Sequence, residues 1–128
     1  MTVGSGERAE RRTAGPHDGS VRAHPQEVTA FLRELFGARL VAHMAGISDD
    51  KRVHKWARGD AMSSSSETRL RAAYQVAWFL LEHDSAETVR AWFIGMNPQL
   101  DYEAPADAIR DDRPRHVMVA AKAFIEGA

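Results

Sequence analysis

The chain has 128 residues, no cysteine, 44% hydrophobic residues and a formal net charge of −1. That length suits one compact domain plus a tail. The missing cysteine excludes disulfides, thiolate catalysis and cysteine zinc sites, and the balanced charge excludes bulk polycation behaviour, so any nucleic-acid role has to come from local charge. No run approaches the ~20 apolar residues that span a bilayer. The N-terminus lacks the apolar stretch of a signal peptide, so a cytoplasmic protein with no membrane partner is expected.

Residues 1–25, MTVGSGERAERRTAGPHDGSVRAHP, are polar, Gly-rich and nearly free of large apolar groups. They bury too little surface to offset chain entropy and read as a disordered N-terminal arm, with Arg8, Arg11, Arg12 and Arg22 among Glu7, Glu10 and Asp18. After Pro25, Val28, Phe31, Leu32, Leu35 and Phe36 recur three and four apart, the stripe of an amphipathic helix. Gly37 allows a break, and ARLVAHMAG puts Leu40, Val41 and Met44 on a second, short helix that Gly46 can end in the left-handed conformation. Asp49 or Asp50 suits the N-cap of a third helix over 50–58, closed by Gly59. The strongest helical signal is SSSSETRLRAAYQVAWFLLEHD. A serine cap precedes Glu67; Leu70, Ala73, Ala77, Leu80 and Leu81 share one face, and Tyr74 and Trp78 widen it.

Ser85 opens a further helix carrying Val89, Trp92, Phe93 and Met96, which NPQL at 97–100 stops. Pro105 starts a short helix through Ile109, and Pro114 starts the last, with Val117, Ala120, Ala121, Phe124 and Ile125 as its apolar set. No alternating strand pattern stands out. The expected fold is all-α, about seven helices, with a helix-turn-helix portion at 26–62 and a small helical portion at 63–128 behind the arm. Trp56, Trp78 and Trp92 read as core packing, and Met44, Met62, Met96 and Met118 as gap-fillers.

The stretch GISDDKRVHKWARGD, residues 46–60, concentrates basic side chains. On a helix at about 100° per residue, Val53, Trp56 and Ala57 share one side. Lys51, His54, Lys55 and Arg58 cover the other, with Arg52 at the edge. An anchored helix with a cationic face, following another short helix across a Gly-containing turn, is the helix-turn-helix pattern. Ala42, four residues before Gly46, is small enough to let the two helices pack closely. Val53 stands seven residues after the turn glycine rather than the usual six, so one extra residue in the turn tilts the second helix. Residues 37–60 carry five Lys/Arg against three Asp, a mild excess that implies modest DNA affinity. The expected DNA-binding residues are Lys51, Arg52, His54, Lys55 and Arg58, and the plainer alternative is a basic solvated helix.

The segment NPQLDYEAPADAIRDDR, residues 97–113, sets Leu100, Tyr102 and Ile109 between acidic and basic residues, apolar anchors with a charged rim as on a protein–protein surface. Leu100 and Ile109 read more readily as core, whereas Arg110, among short or acidic neighbours, is the freer contact candidate. The histidines form no i, i+4 pair with a third ligand, so no metal is expected. Ser63–Ser66 is a cap region rather than a nucleophile elbow, and there is no phosphate-cradling glycine loop. Neither an enzyme nor a cofactor is expected.

Three stretches together, LFGARLVAHMAGISDDKRVHKWARGD, ETRLRAAYQVAWFLL and TVRAWFIGMNPQLDYEAPADAIRDDRPRHVMVAAKAFIEG, resemble the MbcA/ParS/Xre antitoxin family over roughly residues 28–127. The more specific carriers are the helix ending in Trp92 and Phe93, the NPQL break, Pro105 with Ile109 and Arg110, and the final alanine-rich helix. RDDRPRH at 110–116 departs from the short glycine-containing turn of many relatives. The resemblance implies an antitoxin of a type II toxin–antitoxin module, paired with a RES-domain toxin that consumes or modifies using NAD. Its C-terminal region covers the toxin's active site, and the complex represses its own operon. The toxin-binding candidates are then Asn97, Pro98, Leu100, Ile109 and Arg110, with Lys122 and Glu126 on the last helix. Operator DNA and a homodimer are the other expected partners. The alternative function is a stand-alone helix-turn-helix regulator whose second half dimerises or serves as an interaction domain.

Overall fold

A computed structural model describes residues 23–127. The expected arm, residues 1–25, lies outside the described residues except for its last three, and Pro25 already opens the first helix. The chain is all-α. Among the described residues it forms α1 (Pro25–Phe36), α2 (Ala38–Ala45), α3 (Lys51–Ala57), α4 (Ser64–Leu81), α5 (Ala86–Ile94), a 3-10 turn (Pro98–Leu100), α6 (Pro105–Arg110) and α7 (Pro114–Ile125). Among the described residues there is no strand, and one isolated β-bridge pairs Asn97 with Glu103.

The helix starts follow the capping residues. Ser63 Oγ accepts from the Ser66 N–H at 3.1 Å and Ser85 Oγ from the Thr88 N–H at 3.1 Å, so orphan donors at the starts of α4 and α5 are satisfied. At α3 it is the Asp49 carboxylate that takes the Lys51 N–H, at 3.0 Å; Asp50 has helical dihedrals and its side chain makes no capping bond. The stops follow the left-handed residues. Gly46 (φ 90°) ends α2, with the Ile47 N–H returning to the Ala42 carbonyl at 3.0 Å, and Gly59 (φ 110°) ends α3, with the Asp60 N–H returning to Lys55 at 3.0 Å. α6 closes the same way without a glycine: Asp112 takes φ 62°, and the Arg113 N–H returns to Ala108 at 2.9 Å.

α4 is the spine. Its stripe of Leu70, Ala73, Ala77 and Leu80 is buried, and the helix packs against α1, α2, α5, α6 and α7. The alanines bring neighbouring backbones close, while Leu32 from α1, Val41 and Met44 from α2, Phe93 from α5, Ile109 from α6 and Val117 from α7 fill the space around them. One continuous core therefore joins residues 26–62 to residues 63–127. Buried Thr29 and Ser66 are satisfied, Thr29 Oγ1 donating to the Pro25 carbonyl at 2.8 Å and Ser66 Oγ to the Ala45 carbonyl at 2.9 Å, while the buried Trp78 indole N–H has no hydrogen-bond partner among the described residues.

Two expectations are corrected. α5 stops at Ile94 rather than at Asn97, because Gly95 leaves the helix with ψ 159°, and Met96 is 79% exposed instead of filling a core gap. Phe124 falls on the buried side of α7 by spacing, yet it is 40% exposed near the helix end, where its ring lies tilted against Trp92 at a separation of 6.2 Å.

Candidate functional site

α3 is a short helix held by two side chains. Val53 is fully buried and Trp56 nearly so, worth roughly 1.5–3 kcal/mol each, and they seat α3 on α1 and α2. Burying that face turns the other outward, so Lys51, Arg52, Lys55 and Arg58 are exposed. Among the described residues no carboxylate forms an ion pair with any of the four. The Arg52 guanidinium lies over the Trp56 ring, 5.4 Å from its centroid, which steers this cation along the rim of the helix. His54 is exposed as well, but its Nδ1 accepts from Arg33 Nη1 of α1 at 3.1 Å. That contact ties His54 to α1, so it stands apart from the four cations, which have no such partner on α1.

The turn 46–50 joins α2 to α3, and the carbonyl end of α2 is where the two halves of the chain meet. Arg110 Nη1 donates to the His43 carbonyl at 2.7 Å, and Arg69 Nη1 to the Ala45 carbonyl at 3.1 Å. His43 Nε2 pairs with Asp107 Oδ1 at 2.6 Å, and Arg69 is held by Asp112 through two bonds of 3.0 Å. Spacing could not reveal these partners, since they lie 24 to 67 residues apart in the chain. Beside this junction an open cleft of about 470 Å³ is lined by Arg39, His43, Ser48, Asp50 and Arg110.

The segment 97–113 is more structural than its sequence suggests. Leu100 and Ile109 are buried in the core, so they are not surface anchors. Asn97 is buried too: its Oδ1 accepts from the Gln99 N–H at 2.9 Å, and its carbonyl takes the Tyr102 N–H at 2.8 Å, which folds the loop on itself. Arg110, expected to be free, is half-buried and engaged with α2. Arg113 bonds Glu103, and that hydrogen bond, with the nearby charges of Asp111 and Asp101, raises the guanidinium pKa above its usual value. Pro98 is exposed, as are Lys122 on α7 and Glu126 just after it.

Of the three apolar anchors expected in this segment, Leu100, Tyr102 and Ile109, Tyr102 is the exposed one. It is 66% exposed at φ 67°, next to Asp101 at φ 54°; Ile94, Met96 and Val119 are further exposed apolar residues of the second half of the chain. A tyrosine held in the left-handed region outside the core is uncommon and costs backbone energy that its own packing does not return. Among the described residues no three His, Asp or Glu side chains converge as metal ligands, and no helix is long and apolar enough to cross a membrane. No family model, curated protein or solved structure matches the chain.

Proposed function

We propose that this chain is the antitoxin of a type II toxin–antitoxin module, which neutralises a RES-type, NAD-consuming toxin by occluding its active site and represses its own operon through a helix-turn-helix formed by α2, the turn 46–50 and α3. The observation that carries the DNA half is the outward face of α3: Lys51, Arg52, Lys55 and Arg58 exposed and free of carboxylate partners, on a helix pinned from behind by Val53 and Trp56. Cations so arranged suit phosphate and base-edge contacts in a major groove. The toxin half rests on the resemblance of the C-terminal stretches, and the exposed Tyr102, Met96, Ile94 and Val119 support it as aromatic and aliphatic contacts near a charged rim. Pro98, Lys122 and Glu126 are exposed and remain contact candidates, whereas the burial of Leu100, Ile109 and Asn97 and the bond from Arg110 to α2 argue against those four.

Internal use of those four residues favours a second reading, a stand-alone regulator whose second half dimerises or serves another interaction. Co-expression with a RES-type reading frame from the same locus separates the two. Relief of growth arrest, with the two proteins co-purifying, is the result expected for the antitoxin. Persistent arrest beside a well-expressed chain that still retards its upstream DNA would leave the regulator.

A further inference from the structure

We infer that Arg69 and Arg110 are positioning residues for the basic helix: they clamp the carbonyl end of α2 and so fix the direction in which the turn 46–50 launches α3. The inference rests on the DNA-binding reading of α3. The last carbonyls of a helix have no partners within it, and at α2 two of them are taken by guanidinium groups. Arg110 bonds the His43 carbonyl at 2.7 Å; Arg69 bonds the Ala45 carbonyl at 3.1 Å, where Ser66 Oγ also donates at 2.9 Å. Two cations at a helix C-terminus also complement its dipole.

Both clamps are themselves braced. Asp112 grips Arg69 through both carboxylate oxygens at 3.0 Å, and Asp107, one turn before Arg110 on α6, holds His43 at 2.6 Å. The last turn of α2 is thus tied to α4, to α6 and to the stop after α6. The glycine of the turn lies against the same group: a Cβ on Gly46 would stand 2.5 Å from Arg69 Nη1, so a side chain there would displace the guanidinium that reaches Ala45. Val53 and Trp56 set how deeply α3 sits. The angle at which it leaves α2 is set at the turn, and base-edge contacts depend on that angle because the reading side chains must meet fixed donors and acceptors.

The test uses the full chain and a labelled duplex covering the DNA immediately upstream of its own reading frame, at a temperature where circular dichroism shows intact helices. Arg110→Ala and Arg69→Ala are expected to weaken binding about tenfold, a typical size for coupling through a positioning contact. The slope of log K against log salt should stay unchanged, and Arg110→Lys, which keeps a charged donor at the carbonyl, should recover most of the affinity. Unchanged affinity in the folded alanine variants overturns the inference. So does a slope shallower by about 0.9 per residue, the mark of a direct phosphate contact. If Arg69→Ala loses helix content, Arg110→Ala decides, since it gives up one bond; loss of helix content in both overturns the inference. If the unaltered chain does not bind the duplex, the DNA reading fails, and amide exchange then decides the positioning role by itself. Faster exchange confined to residues 46–58 in the variants supports it, and exchange that is unchanged or raised uniformly overturns it.

Discussion

Tyr102 illustrates how one residue can oppose the stability of its own fold. An L side chain in the left-handed region costs on the order of 1–2 kcal/mol, and the exposed ring recovers little by packing. Asparagine tolerates that backbone better. Tyr102→Asn is therefore expected to melt at or slightly above the temperature of the parent chain while weakening toxin capture, since an aromatic anchor at an interface is worth about 2 kcal/mol or more. A melting point that falls together with intact capture would sink the contact role. On α3, the paired change Lys55→Ala with Arg58→Ala should leave melting unchanged and lower the salt slope of DNA binding by about 1.8, at about 0.9 per phosphate contact. Salt titration by fluorescence anisotropy checks it, and an unaltered slope would move the DNA contact elsewhere.

At the scale of elements, the local rules were readable and the ties between distant elements were not. Serine caps, helix-starting prolines and the glycines at 46 and 59 act within a turn of the backbone, so the chain itself displays them. Burial of Val53 and Trp56 opposite a cationic face is likewise a matter of spacing along one helix. In the partner segment the core reading of Leu100 and Ile109 agrees with their burial, whereas the free reading of Arg110 fails. Whether Leu100 and Ile109 point in or out depends on where α4 and α7 lie, and Arg110 looked free because its carbonyl partner is 67 residues away. Met96 was misread because Gly95, and not the NPQL motif, ends α5. The junction after α2 yields a prediction at this scale. Gly46→Ala forces an L side chain to φ 90° and pushes it into Arg69, so it should destabilise the chain by about 1–2 kcal/mol or more. Chemical denaturation measures that loss; a change within a few tenths of a kcal/mol would show that the turn can be rebuilt around a methyl group.

Across the whole molecule, the expected boundary near residue 62 separates no two cores. α1 and α2 bury Leu32, Val41 and Met44 against α4, and α6 docks on α2, so either half alone exposes the apolar face that the other covers. A piece of about 40 residues rarely holds a fold without a metal, a disulfide or a partner. Residues 23–62 and 63–127 expressed separately are expected to show neither cooperative melting nor slow amide exchange, whereas a chain spanning 23–127 should show both. A cooperative transition in either piece would restore two independent units. The shared core also bears on turnover. If the chain unfolds as the single unit this core predicts, a protease meets one cooperative barrier, and once that barrier is crossed both surfaces are lost in the same event. Under the proposed function, no degradation remnant survives to sit on the operator after its capacity to hold toxin is gone. Each intact molecule counts once in both roles, so promoter occupancy follows the supply of neutralising protein without lag.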